Sequence, residues 1–130
     1  MPQVTMLFKP NLFSGNGRDR ILPNLLERVG REIMPLIAEA FSFGPAKLDP
    51  VMDIDWLPTP YPPGSLVFYP VSIEIMTIGY PERKAKVTEK VMEELKLQIL
   101  AELQELKFPG VDASNPLLWV IYTDPDGLHI

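Results

Sequence analysis

The sequence has no cysteine and a single histidine, His129. The first absence excludes disulfides, thiol nucleophiles and thiolate metal sites together. The second would leave a zinc site or a Ser-His-Asp triad to be built around one residue beside the last, so neither is expected and no metal is assigned. Positive charge is also scarce: 12 Lys and Arg stand against 17 Asp and Glu, a net charge of -5. The basic residues are scattered among acidic ones and leave no electrostatic footprint for a phosphate backbone or an anionic bilayer, so nucleic acid and membrane are poor partners. No apolar run approaches the length of a membrane span, and the start is not a basic-then-apolar leader. A cytoplasmic protein is expected.

What is present suits a single domain over residues 1–130. At 46% hydrophobic and 22% charged, the chain can build one core without staples and has little tendency to disorder. Proline is plentiful, with 15 residues, and it punctuates the pattern. Val4 to Phe8 is a short β-prone run, closed by Lys9-Pro10 and the Gly15-Asn16-Gly17 cluster. From Asp19, a plausible N-cap, apolar residues recur at helical spacing through Ile21, Leu25, Val29, Ile33, Ile37 and Phe41 until Gly44-Pro45. Pro35 removes a backbone donor inside that stretch, which predicts a kink or a restart.

Val51 to Leu57 alternates Met52, Ile54 and Trp56 against Asp53 and Asp55, the period of a half-buried strand. The proline-rich segment from Pro58 reads as an ordered loop or an edge excursion. Val71 to Ile78 sets Val71, Ile73 and Ile75 against Ser72, Glu74 and Met76 in a further strand. One long helix is predicted over Glu82 to Leu106, opened by Pro81 and closed before Pro109-Gly110. Leu117 to Tyr122 is a continuous apolar run, read as a strand buried on both faces.

The order β, α, β, β, α, β makes two βαβ units. The expected class is α+β, a four-stranded mixed sheet with two helices on one face. Two folds share that order, the ferredoxin-like sandwich and the tautomerase fold, and order alone does not separate them.

The chain begins Met-Pro-Gln-Val. Methionine is usually removed before a residue as small as proline, and Pro2 would then be an N-terminal secondary amine, a potential base. With that start and this layout the chain resembles the tautomerase superfamily, which includes macrophage migration inhibitory factor and 4-oxalocrotonate tautomerase. Thr77-Ile78-Gly79 looks like the Ser-Ile-Gly that opens the second unit of longer members, and Tyr122-Thr123-Asp124 like their late Tyr-Tyr-Asp. The layout is nearest a bacterial branch with a proline-rich insert and an Asp-Gly near the end, here Asp126-Gly127. The resemblance is best over residues 71 to 127.

The resemblance implies a cofactor-free tautomerase or isomerase of small keto or enol carboxylates, with Pro2 as catalytic base. An α-amino group titrates near about 7.7–8.0, and burial lowers it toward neutrality, where a general base works best. The Ile78 amide matches a family donor to substrate. Trp119 and Ile121 stand where cytokine-like members carry a tyrosine and an asparagine. Lys47 lies near the position of a pocket lysine, and Arg18 and Arg20 near that of a carboxylate-binding arginine, a role the guanidinium fork suits. It also implies a homotrimer with the pocket between subunits, and Met76, Trp119 and Ile121 would make an uncovered sheet face too apolar for water.

Other patterns have plainer readings. Asp53 and Asp55 read as a solvated strand face rather than a carboxylate pair, and Ser14-Gly15-Asn16-Gly17-Arg18 as a turn that lacks phosphate-loop spacing. Trp56 and Trp119 read as core or interface anchors, and Glu82, Lys86, Glu89, Lys90, Glu93 and Lys96 as a solvent face. The alternatives to an enzyme are a non-catalytic interaction or small-molecule-binding protein of the same fold, and a ferredoxin-like dimer that binds a hydrophobic ligand.

Overall fold

Alternation along the first strand decides which side of the sheet becomes core. In β1 (Gln3–Phe8), Val4, Met6 and Phe8 are buried while Gln3, Thr5 and Leu7 are half-buried. The register carries this across the sheet of the computed structural model: Val4 faces Ile75, Met6 faces Ile73 and Phe8 faces Val71 of β3 (Val71–Ile78). The structure describes residues 2–8, 18–44, 47–61, 71–108 and 117–124.

The sheet order is β2-β1-β3-β4, where β2 is Asp55–Pro60 and β4 is Leu117–Thr123. β1 and β2 are parallel, β1 and β3 antiparallel, and β3 and β4 parallel. The two strands of each βαβ unit are therefore adjacent, whereas the ferredoxin-like arrangement splits them. The ferredoxin-like alternative is set aside on that ground.

The apolar residues of α1 (Arg18–Phe41) join one core with the inward sheet face: Val29, Ile33, Ile37 and Phe41 are fully buried. α1 begins at Arg18, one residue before the expected cap Asp19, and continues through Pro35 without a restart. Pro35 is on the exposed side of the helix, where lost packing matters least.

The single helix expected over 82–106 is two. α2 (Pro81–Lys86) ends at Val87, and Thr88 takes an extended conformation and caps α3 (Glu89–Glu105) by accepting a hydrogen bond from the Val91 amide at 3.3 Å. Leu95, Ile99 and Leu103 of α3 complete the core. α3 closes with the Phe108 amide donating to Leu103 O and the Lys107 amide to Gln104 O, a Schellman closure that puts Lys107 at φ 57°.

The second strand begins later than its alternation predicts. Asp49 Oδ1 accepts from the amides of Val51 and Met52, and Asp53 Oδ2 from that of Asp49, so residues 49–53 form a tight turn. Aspartate side chains offer the backbone this alternative to a ladder. β2 instead runs on into Pro58 and Pro60, which fits the edge excursion. Asp55 and Tyr61 donate to Pro2 O and Phe8 O, so even-numbered amides of β2 face away from β1. Both strand prolines stand at those positions, where no donor is missed and a further strand is discouraged. Residues 62–70 of the proline-rich stretch lie outside the described residues.

β4 is an edge strand, and Leu118, Trp119 and Val120 are half-buried while Ile121 is 41% exposed. Burial on both faces is thus not achieved within one chain. The outward face carries Thr5, Leu7, Glu74, Met76, Trp119 and Ile121, and Trp119 Nε1 donates to Glu74 Oε2 at 3.2 Å across a register pair.

Candidate active site

Pro2 is buried at the start of β1, its carbonyl held by the Asp55 amide at 3.1 Å. Beside it opens a cavity of about 220 Å³, lined by Pro2, Lys47, Asp53, Ile78, Tyr80 and Arg83, with Leu48 and Thr77 completing the wall. Three of the residues singled out from the sequence, Pro2, Lys47 and Ile78, therefore meet in one place. Ile78 comes two residues past the Gln3–Met76 pair, and because the Gly79 amide donates to Thr123 O toward β4, alternation turns the Ile78 amide toward the start of β1.

The residue that sequence reasoning missed is Arg83. It is 3% exposed, and its guanidinium donates from Nε to Phe41 O at 2.9 Å and from Nη1 to Thr77 Oγ1 at 2.6 Å and Ile78 O at 3.0 Å. The Phe43 and Tyr80 rings flank it at 5.2 and 5.6 Å. All these partners are neutral, and among the described residues no carboxylate pairs with it. Burial pulls its pKa below the ordinary arginine value, yet an arginine stays charged in proteins. A buried cation whose described partners are all neutral, on the wall of a cavity, favours an anion there.

Arg83 was hidden by its charge, which an apolar stripe does not mark. It stands four residues before Val87 and shares that residue's buried face, whereas Ala85 between them is exposed. α2 carries that face under the end of α1, where Arg83 Nε meets Phe41 O. The Tyr80-Pro81 turn before it was the available signal, since proline at the first helical position fixes where α2 starts.

Asp53 also needs correcting: it belongs to the turn before β2, half-buried on the cavity wall, rather than to a solvated strand face with Asp55. Trp119 and Ile121 lie on the outward sheet face and are not brought to this cavity within the chain. Arg18 and Arg20 occupy the first turn of α1, and their side chains are outside the described residues. Among the described residues no group of His, Asp and Glu side chains is arranged to hold a metal ion, and no helix is long and apolar enough to cross a membrane.

The fold has clear relatives. A macrophage migration inhibitory factor-like protein of Entamoeba histolytica is 11% identical, with 99% of this chain and 94% of that one covered at a TM-score of 0.59. A malonate semialdehyde decarboxylase is 8% identical, with 98% and 88% covered and a TM-score of 0.62. The chain has the tautomerase superfamily fold. A fused 4-OT, solved as an asymmetric trimer, is 11% identical over 98% of this chain and 91% of that one, at a TM-score of 0.54. No family model matches the sequence, and no curated protein matches it. In this tautomerase fold, identity near one residue in ten leaves the chemistry to be argued from the cavity.

Proposed function

We propose that this chain is a cofactor-free tautomerase or isomerase of small keto or enol carboxylates. One observation carries the reading: Pro2 and the buried Arg83 guanidinium, which pairs with no carboxylate among the described residues, line the same small cavity. Removal of Met1 gives Pro2 a basic nitrogen. The substrate carboxylate is held by Arg83, with Lys47 as the second cation. Pro2 takes the proton α to the carbonyl, the C–H electron pair becomes the new C=C bond, and charge collects on the carbonyl oxygen. The Ile78 amide donates to that oxygen. The proline ammonium then returns its proton to the far carbon or to the oxygen, and the site is restored.

Two charges tune the base in opposite senses. Arg83 and burial disfavour the proline ammonium, while Asp53 favours it. Oligomerisation belongs to the same reading, a trimer that covers Met76, Trp119 and Ile121 of the outward face, as the fused 4-OT is a trimer. Light scattering at the mass of one chain would remove that part.

The test begins with intact mass, to establish that Met1 is absent, followed by turnover of a panel of 2-keto and enol acids. Pro2→Ala is expected to reduce turnover by about 10²–10⁴-fold, the usual contribution of a positioned general base. Full turnover in Pro2→Ala refutes the assignment, and a retained Met1 favours the alternative of a non-catalytic binding protein of the same fold.

A further inference from the structure

A second cavity, of about 250 Å³, lies on the other side of the 49–53 turn, between α1 and β2. Its walls include Arg31, Met34 and Pro35 of α1, with Val51, Ile54 and Trp56 opposite. Three features make it more than a crease. The volume exceeds the roughly 150 Å³ in which an apolar cavity holds benzene. Pro35 has no amide, so the Arg31 carbonyl, which points along the helix toward it, lacks the donor that every regular helical carbonyl receives. Gly30 lets the Trp56 indole lie directly on the helix, where Nε1 donates to Leu26 O at 3.1 Å, so the ring stands as a fixed wall.

The same turn serves both cavities. Val51 lines the α1 groove and is 82% exposed at its lip, while Asp53 lines the Pro2 cavity. They are tied through Asp49, whose Oδ1 accepts from the Val51 amide at 2.8 Å and whose amide donates to Asp53 Oδ2 at 2.7 Å. Two hydrogen bonds therefore connect the wall of one cavity to the wall of the other.

We propose that the groove between α1 and the 49–53 turn is a second ligand site, which takes a planar one- or two-ring apolar molecule bearing one N–H or O–H donor, and that its occupancy is felt at Asp53. The ring packs between Met34, Ile54 and Trp56, and the donor meets the Arg31 carbonyl. Because coupling between sites is reciprocal, whatever fills the Pro2 cavity alters affinity here by the same factor. The site stands independently of the chemistry assigned to Pro2.

Indole and N-methylindole, in which a methyl group replaces the N–H donor, are the probes, titrated into ¹⁵N-labelled full-length protein. Indole is expected to move the amides of Val51 and Trp56, with Asp49 and Asp53 following to the same saturation, and to bind about fivefold more tightly than N-methylindole, the worth of one hydrogen bond. Pro35→Ala restores an amide to the helix at that carbonyl and should erase the preference. Val51→Asp, a change at an exposed position, should weaken both ligands alike. Equal affinity of the two probes for the unaltered protein, or a preference that survives Pro35→Ala, overturns the site. Saturation at Val51 with Asp53 unmoved overturns the coupling.

Discussion

Substituting Gly30 by alanine sets two effects of opposite sign against each other. In an ordinary helix the change is stabilising by about 1 kcal/mol, because glycine surrenders more backbone freedom than alanine. Here the added Cβ would fall 2.5 Å from Trp56 Nε1, 2.7 Å from Cδ1 and 2.8 Å from Cε2. The ring is held where it lies, its N–H bound to Leu26 O and its body packed on the core, so yielding to the Cβ breaks that bond. Overpacking of this kind costs about 1–3 kcal/mol, and displacing the indole forfeits a hydrogen bond worth about 1 kcal/mol. The balance is a net destabilisation of about 1–3 kcal/mol. In a chain of this size each kcal/mol lowers Tm by about 3–5 °C. Urea unfolding followed by far-UV circular dichroism measures it, with Gly30→Ala repeated in a Trp56→Leu background. There the clash is gone, and the same substitution should stabilise by about 1 kcal/mol. If Gly30→Ala is as stable as the unaltered protein, the close seating of Trp56 on α1 is wrong.

Arg83→Lys keeps the positive charge but not the fork, so KM for a keto acid should rise about tenfold or more while kcat changes less; an unchanged KM removes Arg83 from the binding site. Lys107→Gly relieves a side chain held at φ 57° in the closure of α3, and should stabilise the fold by about 1 kcal/mol in thermal unfolding. A loss would show that the Lys107 side chain makes a stabilising contact. The Asp49 carboxylate is held below its ordinary pKa by the amides of Met52 and Val51. Its folded value being depressed, the contribution it makes is present above the unfolded pKa and is lost as pH falls through the folded one. The Met52 and Val51 amide resonances should titrate together at a midpoint below the ordinary carboxylate value, and Asp49→Asn should abolish that titration.

Local chemistry was sufficient for the elements and their faces. Alternation in Val71 to Ile78 and helical spacing through Val29, Ile33, Ile37 and Phe41 determine which side chains leave water, since the periods of strand and helix are properties of the backbone. The fold class, the two βαβ units and the candidacy of Pro2, Ile78 and Lys47, which line one cavity, could be argued from that level together with a family resemblance. Three things needed the tertiary structure. Backbone hydrogen bonds donated to the Asp49 and Asp53 carboxylates beat the strand period of Val51 to Leu57, and such competition depends on geometry that composition does not carry. The burial of Arg83 depends on what α2 packs against, the end of α1 and the end of β3, whose Phe41 O, Thr77 Oγ1 and Ile78 O accept from its guanidinium. The adjacency of β1 with β2 and of β3 with β4, which separates this fold from the ferredoxin-like one, is a long-range pairing, decided by how the helices close over the sheet rather than by any single strand.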